Sequence, residues 1–193
     1  VTRRRLLSTI EQPHCHHRRR FLGISLATAA TLASPAALAK IGTERERHIA
    51  FLNLHTGERL RTTYWANGSY LDEGLDEINH ILRDYRNDEV TSIDPELMDI
   101  LHRLQLKVGC KGKSFEIISG YRSPATNAML RAKSSGVAKR SLHMEGKAID
   151  IRLPGCDLAH LRKAALSLQA GGVGYYPKSG FVHVDTGRVR SWG

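Results

Sequence analysis

Three residues in the second half of the chain have the types and spacing of a metal-ligand set. The segment Ser141-Leu142-His143-Met144-Glu145-Gly146-Lys147-Ala148-Ile149-Asp150 places a histidine seven residues before an aspartate. His143 falls in a loop that runs into a strand. Asp150 falls inside that strand on its polar face, opposite Ile149 and Ile151, because strand side chains alternate. A third group, His183, lies in Phe181-Val182-His183-Val184-Asp185, where Val182 and Val184 alternate with Phe181, His183 and Asp185. Two imidazoles and one carboxylate suit a catalytic zinc ion, since three protein ligands leave a fourth position for water. Such a metal acidifies the water and polarises a carbonyl, the two needs of amide hydrolysis. Spacing alone leaves a second reading equally open, in which Asp150 is a structural partner of Arg122 or Arg152.

The elements around these residues follow from periodicity. Residues 48–54 and 59–65 are rich in strand formers and flank the turn His55-Thr56-Gly57-Glu58, which predicts a hairpin. Leu71, Leu75, Ile78, Leu82 and Tyr85 share one helical face, with Ser69 as the expected cap. Asp94-Pro95 opens a second helix whose apolar face is Leu97, Leu101, Leu104 and Val108, closed by Gly109. Phe115–Ser119 reads as a strand, Ser123-Pro124 as the start of a helix reaching about Lys133, and 134–140 as a loop. After the alternating strand 147–153, Asp157 caps a helix carrying Leu158, Leu161, Ala165 and Leu168, ended by Gly171-Gly172. Two strands follow near 173–176 and 181–185. Helices mostly first and strands mostly last predict an α+β domain: a mostly antiparallel central sheet, helices on one face and an exposed site on the other.

The first 39 residues read as an address rather than as part of the fold. Arg18-Arg19-Arg20-Phe21-Leu22 precedes a weakly apolar Ala/Thr/Leu stretch that ends in Ala37-Leu38-Ala39, a small-x-small cleavage site. The paired arginines resemble a twin-arginine signal. The stretch is barely long enough to span a bilayer and is diluted by Thr, Ser, Gly and Pro35, so stable membrane insertion is disfavoured. The expected division is a signal over 1–39, read by the twin-arginine export machinery, and one domain over 40–193, released into the periplasm. Setting aside residues 1–39, with six arginines and one acid, lowers the formal charge from +10 to +5. A modest excess without a Lys/Arg stripe and interleaved aromatics argues against a nucleic-acid partner. Cys110 and Cys156 remain in the domain, just before one strand and just after another, and their pairing is left open.

The pattern S-x-H-x-x-G-x-A-x-D followed by a distant strand histidine resembles the LAS metallopeptidases. Leu54-His55-Thr56-Gly57-Glu58, Ile118-Ser119-Gly120-Tyr121-Arg122-Ser123, Gly136-Val137-Ala138-Lys139, Gly171-Gly172-Val173-Gly174-Tyr175-Tyr176-Pro177 and Phe181-Val182-His183-Val184-Asp185-Thr186-Gly187 narrow the resemblance to the murein endopeptidase K branch. The resemblance covers essentially the whole of 40–193. It implies one zinc ion held by His143, Asp150 and His183. It also implies hydrolysis of peptidoglycan peptide stems, especially cross-links joining two meso-diaminopimelate residues (the 3-3 type).

The chain departs from better-known relatives where a general base is needed. They carry a glutamate three residues before the last ligand or a histidine two before it; here Gly180 and Phe181 stand there. Asp185 is the candidate, as a base near the metal water or as a partner that fixes a ligand histidine. Arg122 follows the strand Phe115–Ser119, and relatives use an arginine there; three roles are open to its guanidinium, stabilising an oxyanion, binding a substrate carboxylate or forming a structural ion pair. Tyr175 and Tyr176 are candidates for a groove wall, with core packing equally open. His48, His55, His80, His102 and His160 read as surface or capping residues. The rival functions are a D,D-carboxypeptidase or dipeptidase with the same metal site, and a metal-stabilised peptidoglycan-binding module without catalysis.

Overall fold

The computed structural model describes residues 45–134 and 136–193. The expected signal at 1–39 lies outside the described residues. Among those described, no helix is long and apolar enough to cross a membrane.

The described residues open with a hairpin, β1 (Glu46–Asn53) and β2 (Arg59–Ala66), paired Phe51 to Leu60 and kinked by a bulge at Arg47/His48. A two-residue strand, β3 (Ser69–Tyr70), extends it, so Ser69 is a strand residue and not the expected cap. Helix α1 (Asp72–Ile81) starts instead after Leu71, with no side-chain cap. Its first turn carries Asp72 and Glu73, which complement the positive end of the helix dipole. Tyr85, placed by periodicity on the same face, lies beyond the helix and stacks on His55 at 4.0 Å.

Helix α2 (Pro95–Lys107) begins as read: the Asp94 carboxylate accepts from the Glu96 N–H, and Pro95 supplies a first-turn residue with no N–H to satisfy. Strand β4 (Phe115–Ser119) follows, then α3 (Pro124–Lys133), capped by the Ser123 hydroxyl on the Thr126 N–H. A short 3-10 turn (Leu142–Glu145) leads into β5 (Ala148–Arg152). Helix α4 (Leu158–Leu168) is capped by Asp157. It stops at Gln169 in the left-handed region rather than at the glycine pair. Gly171 is glycine for another reason: a Cβ there would collide with the Asp185 carbonyl. Strands β6 (Gly172–Tyr176), β7 (Phe181–Asp185) and β8 (Arg190–Trp192) complete the chain. The short β3 and β8 have no periodicity long enough to be read from sequence.

The eight strands among the described residues form one sheet in the order β3-β2-β1-β4-β5-β7-β6-β8. Only the β1/β4 and β6/β8 pairs are parallel, so the sheet is mostly antiparallel and the fold is α+β. Ile149 and Ile151 of β5 and Val182 and Val184 of β7 point into a core shared with Ile78 of α1, Leu97, Leu101 and Leu104 of α2 and Leu161 of α4. Each side chain of this size stabilises the fold by about 1.5–3 kcal/mol on burial. Helix α3 contributes nothing to that cluster; its buried residues are Thr126 and Asn127. Alternation therefore leaves Asp150, His183 and Asp185 on the sheet face away from the core. Cys110 and Cys156 are unpaired, one buried and one half-buried. His102, expected at the surface, is buried on α2.

Candidate metal centre and its groove

Sheet register builds the site. Ser119, Asp150 and His183 are cross-strand neighbours on β4, β5 and β7, and Gly174 of β6 and Trp192 of β8 continue the same row. Antiparallel pairing thus brings Asp150 and His183 together although 33 residues separate them. His143 joins from the 3-10 turn. Gly146 closes that turn in the left-handed conformation (φ 66°), where a Cβ would also collide with the Ser92 carbonyl. The Arg122 N–H donates to the His143 carbonyl at 3.1 Å, tying the turn to the segment after β4.

Three donor atoms converge. Asp150 Oδ1 lies 2.8 Å from His183 Nδ1 and 3.3 Å from His143 Nε2, and the two ring nitrogens are 3.2 Å apart. All three residues are buried. The other nitrogen of each ring faces an acceptor: His143 Nδ1 lies 2.7 Å from the Gly120 carbonyl, and His183 Nε2 3.0 Å from Asp185 Oδ2. Each of those nitrogens must therefore donate a proton, which leaves lone pairs on His143 Nε2 and His183 Nδ1 when the rings are neutral. Two lone pairs and a carboxylate oxygen facing one another, away from water, repel unless a cation or a proton stands between them. Their separations are close to the ~3.3 Å between ligand atoms around a tetrahedral ion with bonds near 2.0–2.1 Å. The donor set fits a metal ion.

Protonation reflects the same clustering. Burial disfavours the charge on His183, but hydrogen bonds to Asp150 and Asp185 outweigh it and hold the imidazole up at about 8. Burial likewise opposes ionisation of Asp150, yet His143 and His183 keep its carboxyl well below the usual carboxylate range.

Asp185 is 0 % exposed and its carboxylate is saturated. Oδ1 accepts from the Gly172 N–H (3.0 Å), the Gly187 N–H (2.9 Å) and Arg190 Nη1 (2.9 Å); Oδ2 accepts from Arg190 Nη2 (2.7 Å) and His183 Nε2. It meets His183 at the ring nitrogen directed away from the donor triangle. Arg122 stands on the other side, with Nη2 3.8 Å from Asp150 Oδ2 and 3.2 Å from Ser119 Oγ. Its Nε is buried without a hydrogen-bond partner.

The centre opens into a groove of about 340 Å³. Gly136–Ala138, Arg140, Tyr176, Phe181, Arg190 and Trp192 are among the residues that line it. Tyr176 stacks on Phe181 with ring centroids 4.5 Å apart. Tyr175 takes no part in the groove; it packs on the core under Arg162. Besides Asp150, His143 and His183, no carboxylate or histidine lines the groove among the described residues. Sequence reasoning missed Arg190, Trp192 and the Gly120 carbonyl. None has a spacing signal, because each reaches the centre through strand pairing or a backbone atom.

An open α+β sheet carrying a buried His–Asp–His donor set beside an arginine defines a candidate metal-dependent hydrolase. The chain belongs to the family described as peptidoglycan L,D-endopeptidase MepK, whose profile matches residues 41–192. It is 47% identical over 177 residues to the peptidoglycan L,D-endopeptidase MepK of Escherichia coli K12, covering 91% of this chain and 97% of that protein. It is 40% identical to the probable peptidoglycan L,D-endopeptidase MepK of Haemophilus influenzae, covering 91% of this chain and 95% of that protein.

Proposed function

We propose that this chain is a zinc-dependent peptidoglycan endopeptidase. It hydrolyses peptide cross-links between stems, foremost those joining two meso-diaminopimelate residues, in the periplasm after export through a twin-arginine signal at 1–39. The observation that carries this reading is the convergence of His143 Nε2, Asp150 Oδ1 and His183 Nδ1 within 3.3 Å of one another. The name of the relatives, L,D-endopeptidase, supports a bond between an L and a D centre, as in a 3-3 link.

His143, Asp150 and His183 would hold one zinc ion, which when bound would supply Lewis acidity for the scissile carbonyl and for the attacking water. Arg122 lies beside Asp150 in the lining of the groove, and in this reading its guanidinium stabilises the oxyanion that develops on the attacked amide. Asp185 acts as a positioning residue: its five hydrogen bonds leave no lone pair directed at the groove, and it orients His183 through Nε2. The rings of Tyr176, Phe181 and Trp192, which line the groove, are available to pack against the peptide stem.

A second reading rests on one observation, that no carboxylate or histidine other than the three donors lines the groove among the described residues. On that reading the chain is a metal-stabilised peptidoglycan-binding module. The test is incubation of the protein, zinc-loaded and chelated, with purified 3-3 and 4-3 cross-linked muropeptides, followed by mass spectrometry, with Asp150→Ala alongside. Metal-dependent conversion of dimers to monomers, absent in the variant, is the expected result. A folded, zinc-bearing protein that leaves both dimers intact rejects the hydrolase.

A further inference from the structure

Strand β8 has two side chains on the site face of the sheet: Trp192 lies against His183, and Arg190 bonds the carboxylate that holds His183. Arg190 grips the Asp185 carboxylate with two parallel bonds of 2.9 and 2.7 Å, and Asp185 in turn accepts from His183 Nε2 at 3.0 Å. Trp192, two residues on, lies against the His183 ring with centroids 5.2 Å apart, and its own Nε1 is anchored on the Tyr176 hydroxyl at 2.8 Å. The neighbouring strand β6 makes room for both. Gly172 is paired with Arg190 and Gly174 with Trp192 in the parallel register. A Cβ on Gly172 would collide with the Arg190 guanidinium and approach Asp185 Oδ2 to 2.5 Å; one on Gly174 would come within 2.8 Å of the Trp192 ring. Two glycines two residues apart therefore vacate the surface over which these side chains fold back toward the ligand histidine.

We infer that β8 is a positioning strand for the metal centre, with Arg190 as a positioning residue that sets metal affinity through Asp185 rather than as a ligand. The physical chain is short. His183 presents Nδ1 to the donor triangle only while its ring keeps its direction. Asp185 holds that direction through Nε2, but a buried carboxylate with no countercharge is costly and is free to rotate. The fork of Arg190 supplies the countercharge and, being planar and bidentate, fixes the carboxylate plane. Outer partners of ligand histidines commonly change metal affinity by about 10–100-fold when removed. This inference rests on the reading that His183 is a metal ligand.

The test compares zinc affinity, by competition with a chromophoric chelator, in the wild-type chain, Arg190→Ala, Arg190→Lys and Gly172→Ala, with circular dichroism and thermal unfolding of each metal-free protein. Arg190→Ala is expected to weaken zinc binding by about 10–100-fold. Arg190→Lys restores part of the loss, because an ammonium returns the charge without the fork. Gly172→Ala reproduces the loss with Arg190 still present, by displacing its guanidinium. A folded Arg190→Ala with wild-type zinc affinity overturns the inference, even if its unfolding temperature falls, since Arg190 would then be only structural. Should Arg190→Ala not fold, wild-type affinity in both Arg190→Lys and Gly172→Ala overturns it equally. A wild-type chain that binds no zinc overturns the metal reading and this inference together, and so separates the two failures.

Discussion

Asp150 and His183 stand directly opposite one another on β5 and β7, and Asp150 Oδ1 lies 2.8 Å from His183 Nδ1. The contact is bridged by a proton or a metal, never by nothing, because both atoms carry lone pairs when His183 is neutral. Asp150→Asn keeps the shape and removes the charge. With ligands worth roughly 3 kcal/mol each in a structural-type zinc site, it is expected to weaken zinc binding by on the order of 100-fold or more. Metal content after dialysis against a mild chelator checks this; a variant that retains stoichiometric zinc contradicts the ligand assignment.

Arg122 tests the division between metal binding and chemistry. It touches Asp150 Oδ2 at 3.8 Å but offers no lone pair to a metal. Arg122→Ala is expected to lower kcat/KM on cross-linked muropeptides by about 100- to 1000-fold while zinc content stays near that of the wild type. Steady-state kinetics with metal analysis on the same samples give both quantities.

Gly146 is where backbone geometry and the ligand turn meet. It is left-handed at φ 66°, and a side chain there would strike the Ser92 carbonyl. Gly146→Ala is expected to cost about 1–3 kcal/mol from backbone strain alone, and more once the turn shifts. Urea unfolding measures the cost, and weaker zinc binding should accompany it because His143 sits in that turn.

Asp84 predicts the acid limb of stability. It is buried, and burial by itself would raise its pKa. Hydrogen bonds from Thr126, Ser123 and the Arg86 N–H more than offset this and hold it below the ordinary value. A folded-state pKa below the unfolded one gives stability that is present above the unfolded value of about 4 and lost as pH falls through the folded pKa. Asp84→Asn should therefore reduce stability at neutral pH by about 1–3 kcal/mol and flatten the decline below pH ~4. Chemical unfolding at several pH values separates the two effects. An undiminished acid slope in the variant would show that Asp84 does not carry it.

The amino-acid sequence by itself determined the local elements and the faces on which the candidate donors fall. Alternation around Ile149 and Val182 put Asp150 and His183 on the polar faces of their strands, and Asp94-Pro95, Ser123-Pro124 and Asp157 marked helix starts that the structure keeps. These signals are legible because they depend on neighbours one to four residues apart. It misplaced the start of α1, where Ser69 is held by strand pairing with β2 rather than free to cap. Only the tertiary structure decided what depends on register. Pairing of β5 with β7 set Asp150 beside His183, and pairing of β6 with β8 set Arg190 and Trp192 over two glycines. The same register turned Asp185 toward His183 Nε2 and Arg190, away from the donor triangle. A strand pattern says which residues share a face; which side chain on a neighbouring strand each one meets is settled by hydrogen bonding between segments far apart in the chain, and no local spacing encodes it.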